Sequence, residues 1–144
     1  MNTPGKQSPL PLAADALVFN EDFSKLLLIQ RGKDPFIGMW AFPGGRIELD
    51  ELIEFGAKRE LEEETTLSDV ELHLIDIADR VDRDPRGRNI SIIYYGTITN
   101  DRMDKVQGGD DAKEAKWFPI HELPELAFDH REVIDRVIKK LGLA

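Results

Sequence analysis

Apolar and polar positions follow two periods along this chain, and the periods mark where its elements lie. Two short apolar runs, Ala16-Leu17-Val18-Phe19 and Leu26-Leu27-Leu28-Ile29, flank the turn signal Asn20-Glu21-Asp22. Such runs predict a hairpin at the centre of a sheet, buried on both faces. A stretch rich in glycine and proline follows, from Arg31 to Gly45, with Phe36, Trp40 and Phe42 set between the turn residues. A loop this apolar is expected to pack. Leu52 to Glu64 reads as a helix, with Ile53, Ala57 and Leu61 along one stripe, Asp50 as N-cap, and Glu51 and Glu54 at the positive end of the dipole. A strand is expected over Val70 to Ile77, a turn over Asp82 to Gly87, a β-rich strand over Ile90 to Ile98 and a polar loop over Asp101 to Asp111. A short strand, Ala115 to Phe118, is stopped by Pro119. The last segment has Asp129 as N-cap and Glu132 at the third helical position, the pattern of a capping box. Val133, Ile134, Val137, Ile138 and Leu141 then form an amphipathic stripe. Strands and helices are interspersed, so the fold class is α/β, a mixed β-sheet flanked by helices.

Residues 1–12, with Pro4, Pro9 and Pro11, read as an N-terminal tail or extended lead-in, and residues 13–144 as a single domain. A length of 144 residues is enough to bury a core without disulfides. The chain has no cysteine, which excludes thiol catalysis and Cys-ligated metal sites. Its three histidines are scattered at 73, 121 and 130, which disfavours a His-rich metal site. Asp plus Glu number 28 against 19 Lys plus Arg, a net charge of -9 that repels nucleic acid and suits the collection of divalent cations. No apolar run approaches the ~20 residues of a membrane helix, so no membrane association is expected. The first residues lack the apolar core of a secretory signal, and the expected location is cytoplasmic.

The stretch that carries chemistry is GRIELDELIEFGAKRELEEETTL, Gly45 to Leu67. At ~100° per residue, Glu60, Glu63 and Glu64 fall on one arc of the helix and Glu62 points away. Three carboxylates on one arc repel one another, and a hard cation offsets that repulsion. Mg²⁺ suits such oxygens because it shares its remaining sites with water and phosphate. Upstream, Gly44 and Gly45 let the backbone approach a ligand closely and offer a carbonyl for coordination. Arg59, four residues before Glu63, can brace the acidic loop through a multi-donor ion pair, with Glu51 as a candidate partner.

This stretch resembles the Nudix hydrolase box, in which Gly45, Glu51, Arg59, Glu60, Leu61, Glu63, Glu64 and Leu67 all fit. Thr66 stands where that family has glycine. Glycine there serves a left-handed backbone position, so Thr66 either adopts it under strain or forces another exit. The resemblance implies a Nudix α/β/α sandwich that hydrolyses a nucleoside diphosphate linked to another group. It implies that Glu60, Glu63 and Glu64, with the carbonyl of Gly44, hold Mg²⁺, or Mn²⁺ in its place. The general base is then either Glu60 or an acidic residue of another loop, for which Asp111 is the candidate, with Asp110 and Glu114 as neighbours.

A second layer of resemblance covers most of the chain. LLLIQRGKDPFIGMWAFPGG, DPRGR, KWFPIHELP and LAFDH are similar to bacterial and archaeal ADP-ribose pyrophosphatases and to the Nudix domains attached to NAD-metabolism enzymes and regulators. By that analogy the substrate is ADP-ribose, cleaved to AMP and ribose 5-phosphate. Pro85 lies further past the box than the proline of better-known members. The NADH-specific and coenzyme A-specific signatures are not visible, nor is the tyrosine of dinucleoside polyphosphate hydrolases. Three alternatives stand beside it: an (oxidised) nucleoside triphosphate pyrophosphohydrolase, a non-catalytic ADP-ribose-sensing Nudix module, and RNA decapping, which the acidic charge disfavours. Arg31, at a strand end, is a candidate phosphate contact, and Phe36 a candidate for stacking on a base. Arg83, Arg86 and Arg88 form an arginine-rich turn that could bind an anion. Trp40 and Phe42 are expected in the core, His73 and His121 on the surface, and Phe128-Asp129-His130 as a helix start. The expected partner is a small nucleotide, and family members are often homodimers.

Overall fold

The computed structural model describes residues 11–109 and 112–143. Seven strands form one mixed sheet: β1 (Leu12–Asn20), β2 (Lys25–Arg31), β3 (Trp40–Ala41), β4 (Gly44–Arg46), β5 (His73–Ala78), β6 (Ile90–Ile98) and β7 (Ala112–Pro119). Two helices flank it, α1 (Ile53–Thr65) and α2 (His130–Leu141). The lead-in expected over 1–12 lies outside the described residues up to Leu10. Pro11 already joins the sheet, its carbonyl accepting the Ile90 N–H at 3.1 Å, and Leu12 opens β1.

β1 is buried along nearly its whole length because both faces of the sheet are covered. Its side chains alternate between two cores. Leu17 and Phe19 pack with Val133, Ile134 and Val137 of α2. Ala14, Ala16 and Val18 pack with Ala57 and Leu61 of α1. Each fully buried aliphatic side chain of the α2 stripe contributes roughly 1.5–3 kcal/mol.

One feature of the sheet shapes the site. β1 pairs with β6 in parallel from Leu12–Ile90 to Asn20–Ile98, so β2 and β4 must share its other side. The hairpin partner β2 meets β1 at Phe19 and Leu26, while β4 pairs with β1 at Ala13, Ala14 and Asp15. β3 in turn pairs with β2 at Ile29 and Gln30. The two central strands therefore splay apart, and residues 40–46 fill the fork. This places Gly44 and Gly45 beside the first residues of β1 and the last residues of β2.

Several local expectations are corrected. The first helix begins one residue later than expected and its N-cap is Leu52, without a side-chain cap; the Asp50 carboxylate makes no capping bond. The Glu51 carboxylate instead closes the turn from within, accepting the Glu48 N–H at 2.9 Å. Asp129 does occupy the N-cap of α2, but no capping box forms, because its carboxylate is engaged by Arg83 and Glu132 is engaged by Arg80. Val70 and Leu72 are buried against α1 but precede β5, which starts at His73. β7 starts earlier than expected, at Ala112, and runs through Pro119, the last residue of the ladder with β2. The polar loop after β6 contains a 3-10 turn, Asn100–Lys105.

At the end of α1, Thr66 takes the left-handed conformation with φ 64°. A β-branched residue is disfavoured there by ~1–2 kcal/mol. Tertiary contacts offset the strain: Thr66 Oγ1 donates to the Lys105 carbonyl at 2.8 Å, and Gln107 N–H and Gly109 N–H donate to the Thr65 and Glu64 carbonyls. The segment after the 3-10 turn thus satisfies the helix carbonyls that a following helical turn would have taken.

Candidate active site

The N-terminal ends of β1 and β6 and the C-terminal end of β2 lie at the same edge of the sheet, set by the parallel and antiparallel pairing above. A cleft of about 240 Å³ opens there. Its lining includes Glu60 and Glu64 of α1 with Gly44, Gly45 and Arg46 of β4. It also includes Arg31 of β2, the adjacent Lys33, Arg83 and Arg86 of the β5–β6 loop, and Phe128. Asp15, Asn89 and His130 line it as well.

Arg59 is the cation that organises the acidic residues of α1. Its Nε and Nη2 donate to the two Glu51 oxygens at 3.0 and 2.8 Å, and its Nη1 reaches Glu60 at 2.9 Å and Glu63 at 3.2 Å. The Arg59 guanidinium holds the Glu51 carboxyl down at about 2. Glu64 is nearly buried, and its Oε1 accepts the Gly44 N–H at 2.7 Å. Gly44 is required by close approach of backbone, whereas a side chain at Gly45 would displace the Glu60 carboxylate. A Cβ on Gly45 would sit 2.5 Å from the Glu60 carboxyl carbon, and one on Gly44 would overlap Asp15 Oδ1 and the Ala14 carbonyl. Glu62 is exposed, as its position on the helix predicts. Glu63 lies on the outer side of this arc, 40% exposed, and does not line the cleft.

The donor set suits a hard divalent cation: carboxylate oxygens of Glu60 and Glu64 in the cleft, a third carboxylate from Glu63 one turn along, and no sulfur or imidazole among them. Among the described residues, no three acidic or imidazole groups are gathered for an ion as they stand. The physical reason is visible. Carboxylates on one arc seek positive partners, and here Arg59 takes Glu60 and Glu63 while the Gly44 N–H takes Glu64. A cation drawn to Glu60 or Glu63 would compete with Arg59 for them.

The remaining sequence-derived candidates divide. Arg31 lines the cleft, its Nε donating to the Pro35 carbonyl at 2.6 Å. Arg83 lines it too, but is only 4% exposed and makes a bidentate pair with Asp129 at 3.0 and 2.8 Å. Arg86 lines it, held by Asp84. Arg88 does not line it and donates to the Asp79 carbonyl. Phe36 does not line it either; it packs edge-on against Phe128, at 4.8 Å between centroids. Asp111 and its neighbour Asp110 lie outside the described residues, and Glu114 is exposed on β7.

Asp15, Asn89, Lys33 and Arg46 line the cleft without having been singled out from the sequence, and Phe128 and His130, expected only as part of a helix start, line it too. Asp15 carried a signal, because a lone carboxylate inside the apolar run of β1 must find a partner if buried. Ser91 Oγ donates to its Oδ2 at 2.5 Å, and His130 Nε2 lies 3.9 Å from the same oxygen. Burial pushes the Asp15 carboxyl up to about 6, against the Ser91 hydrogen bond and the Arg83 charge. Burial, followed by the Arg83 charge, pushes the His130 imidazole down to about 3. The Phe42 N–H donates to His130 Nδ1, which is therefore unprotonated.

These two shifts oppose each other in stability. A raised Asp15 stabilises the fold at low pH, and that contribution is lost as pH rises from 3.8 through about 6. A depressed His130 stabilises it above 6.5, and that contribution is lost as pH falls toward about 3. The summed contribution of these two groups is expected to be nearly flat between pH 6 and 4.5. Asp15→Asn should lose stability on acidification through this window, and His130→Gln should gain it, each by up to about 1.4 kcal/mol per pH unit. Urea unfolding of the three proteins at pH 4.5 and 6 checks the sign, and parallel slopes would reject the pairing.

The profile of the NUDIX domain matches residues 9–138. The chain is 41% identical over 123 residues to the ADP-ribose pyrophosphatase of Methanocaldococcus jannaschii, an alignment covering 85% of this chain and 70% of that protein. It is 29% identical over 141 residues to the ADPR responsive transcriptional repressor NtrR of Acinetobacter baylyi, covering 94% of this chain and 55% of the repressor. The chain thus spans about half the length of that relative. Among solved structures, the NUDIX domain of Shewanella oneidensis NrtR complexed with ADP ribose superposes with a TM-score of 0.85 at 28% identity, over 97% of this chain and 94% of that one. Among the described residues, no helix is long and apolar enough to cross a membrane.

Proposed function

This chain belongs to the NUDIX family and is a Nudix hydrolase, and we propose that it hydrolyses ADP-ribose to AMP and ribose 5-phosphate with Mg²⁺. The observation that carries this reading is one cleft lined both by the carboxylates of Glu60 and Glu64 and by the guanidiniums of Arg31, Arg83 and Arg86. A diphosphate needs both: carboxylates to hold the cation that accompanies it, and guanidiniums for its own oxygens. The two relatives described above are named for ADP-ribose, one as hydrolase and one as responsive repressor.

In this reading Glu60, Glu63, Glu64 and the Gly44 carbonyl hold the cation, or Mn²⁺ in its place. The bound ion supplies Lewis-acid neutralisation of the diphosphate and a more acidic water. Water adds to one phosphorus, the P–O bond to the bridging oxygen breaks, and each phosphate leaves as a monoester. Glu60, within the cleft, can accept the proton of the attacking water; Asp111 is the other candidate. Arg59 keeps Glu51, Glu60 and Glu63 in register. Arg31 and Arg86 receive the anionic oxygens of the substrate.

The test is a hydrolysis screen of ADP-ribose, NADH, diadenosine polyphosphates, and normal and 8-oxo nucleoside triphosphates, with Mg²⁺, Mn²⁺ or chelator. ADP-ribose is expected to be preferred, with AMP and ribose 5-phosphate as products and no turnover in chelator. Preference for a triphosphate would overturn the substrate. A second reading, a sensing module, is favoured by the similarity to the repressor; it takes first place if ADP-ribose binds and no compound is cleaved.

A further inference from the structure

We propose that Phe128 is a positioning residue, an aromatic post that sets Arg31 and Arg86 as a paired clamp on the substrate diphosphate. This rests on the reading above. The two arginines come from separate segments, the end of β2 and the β5–β6 loop, and the Phe128 ring is common to both. Arg31 Cζ lies 4.9 Å from its centroid and Arg86 Cζ 5.7 Å. Each guanidinium is attracted by the ring quadrupole, and the ring holds it without taking an N–H donor.

Each arginine is also steered from behind. Arg31 Nε donates to the Pro35 carbonyl at 2.6 Å, and Arg86 donates to both Asp84 oxygens, at 3.1 and 2.8 Å. The ring is fixed as firmly. Phe36 meets it edge-on, His130 tilts against it at 5.5 Å, and the Ala127 N–H before it donates to the Trp40 carbonyl at 2.8 Å. Phe128 itself sits at φ 53°, in the left-handed region that a bulky side chain disfavours. Strain of this kind persists where the surroundings over-determine it and where the side chain serves a site. Burial does not account for it, because the ring is only half-buried and lines the cleft.

The experiment compares Phe128→Leu and Phe128→Tyr with the unaltered protein, reading kcat and KM for ADP-ribose, melting temperature, and binding of inorganic pyrophosphate without divalent cation. Phe128→Leu is expected to raise KM about 5–10-fold with kcat within about twofold, two lost contacts of the cation–π size. It should weaken pyrophosphate binding by a similar factor. Phe128→Tyr, which keeps the ring, should restore both. Arg31→Lys should raise KM by a smaller factor in the Leu background than in the unaltered protein, since the contact it removes is already gone. Unchanged KM and pyrophosphate affinity in Phe128→Leu, with only a lower melting temperature, would overturn the proposal and leave the ring as packing. If the unaltered protein does not cleave ADP-ribose, the functional reading fails, while the clamp is still decided by pyrophosphate binding. Phe128→Met, of similar volume and without a ring, replaces the Leu variant if that one does not fold.

Discussion

Glu64→Gln should lower kcat for ADP-ribose by about 10³-fold while the melting temperature shifts by only a few degrees. The side chain is 8% exposed and faces the cleft, with one oxygen on the Gly44 N–H. Glutamine can present its carbonyl oxygen to that N–H, so the hydrogen bond and the packing of α1 against β4 survive. What is lost is a full negative charge where the proposed cation would be held, and metal-based charge stabilisation acts mainly in the transition state. Glu63→Gln should show a loss of similar order if Arg59 releases its carboxylate to the ion. A much smaller loss there would mean that Arg59 keeps Glu63 as a brace. Glu62→Gln, on the exposed face, is the control and should behave as the unaltered protein. Near-normal turnover by Glu64→Gln would remove the metal assignment altogether.

The second large effect is on stability. Asp129→Asn should lower it by about 3–5 kcal/mol, because it leaves the Arg83 guanidinium buried without its counter-charge. Both side chains are almost fully enclosed, at 3% and 2% exposure, and the pair is bidentate. For a chain of this size the drop corresponds to roughly 10–15 °C in melting temperature. Removing both charges together, as Arg83→Met with Asp129→Leu, should recover most of the loss, since the desolvation of two ions is then avoided. The double variant should nevertheless bind ADP-ribose less well, because Arg83 also lines the cleft. A single-variant loss under about 1 kcal/mol would show that water reaches the pair and screens it.

Much of the site was legible because its signals are local. The 3.6-residue period of α1 set Glu60, Glu63 and Glu64 on one arc and turned Glu62 to solvent, and Arg59 found the Glu51 partner its spacing allowed. The two apolar runs became β1 and β2, and the stripe of α2 met the core. Caps were less legible. Asp50 and Asp129 both have the side chain that a helix start favours, yet neither makes the capping bond, because capping is worth ~1 kcal/mol and competing partners decide it.

The family, the helix that carries the acidic arc, and the apolar faces of strands and helices are all written in spacings of two to eight residues, and a linear reading reaches them. The fork between β1 and β2, its filling by residues 40–46, and the gathering of Asp15, Asn89, Phe128 and His130 with Arg31 and Arg86 at one edge of the sheet emerge only on folding. Those meetings join residues up to about 115 positions apart, from Asp15 to His130. Strand pairing and the competition of buried charges for partners fix them, and no local periodicity records either.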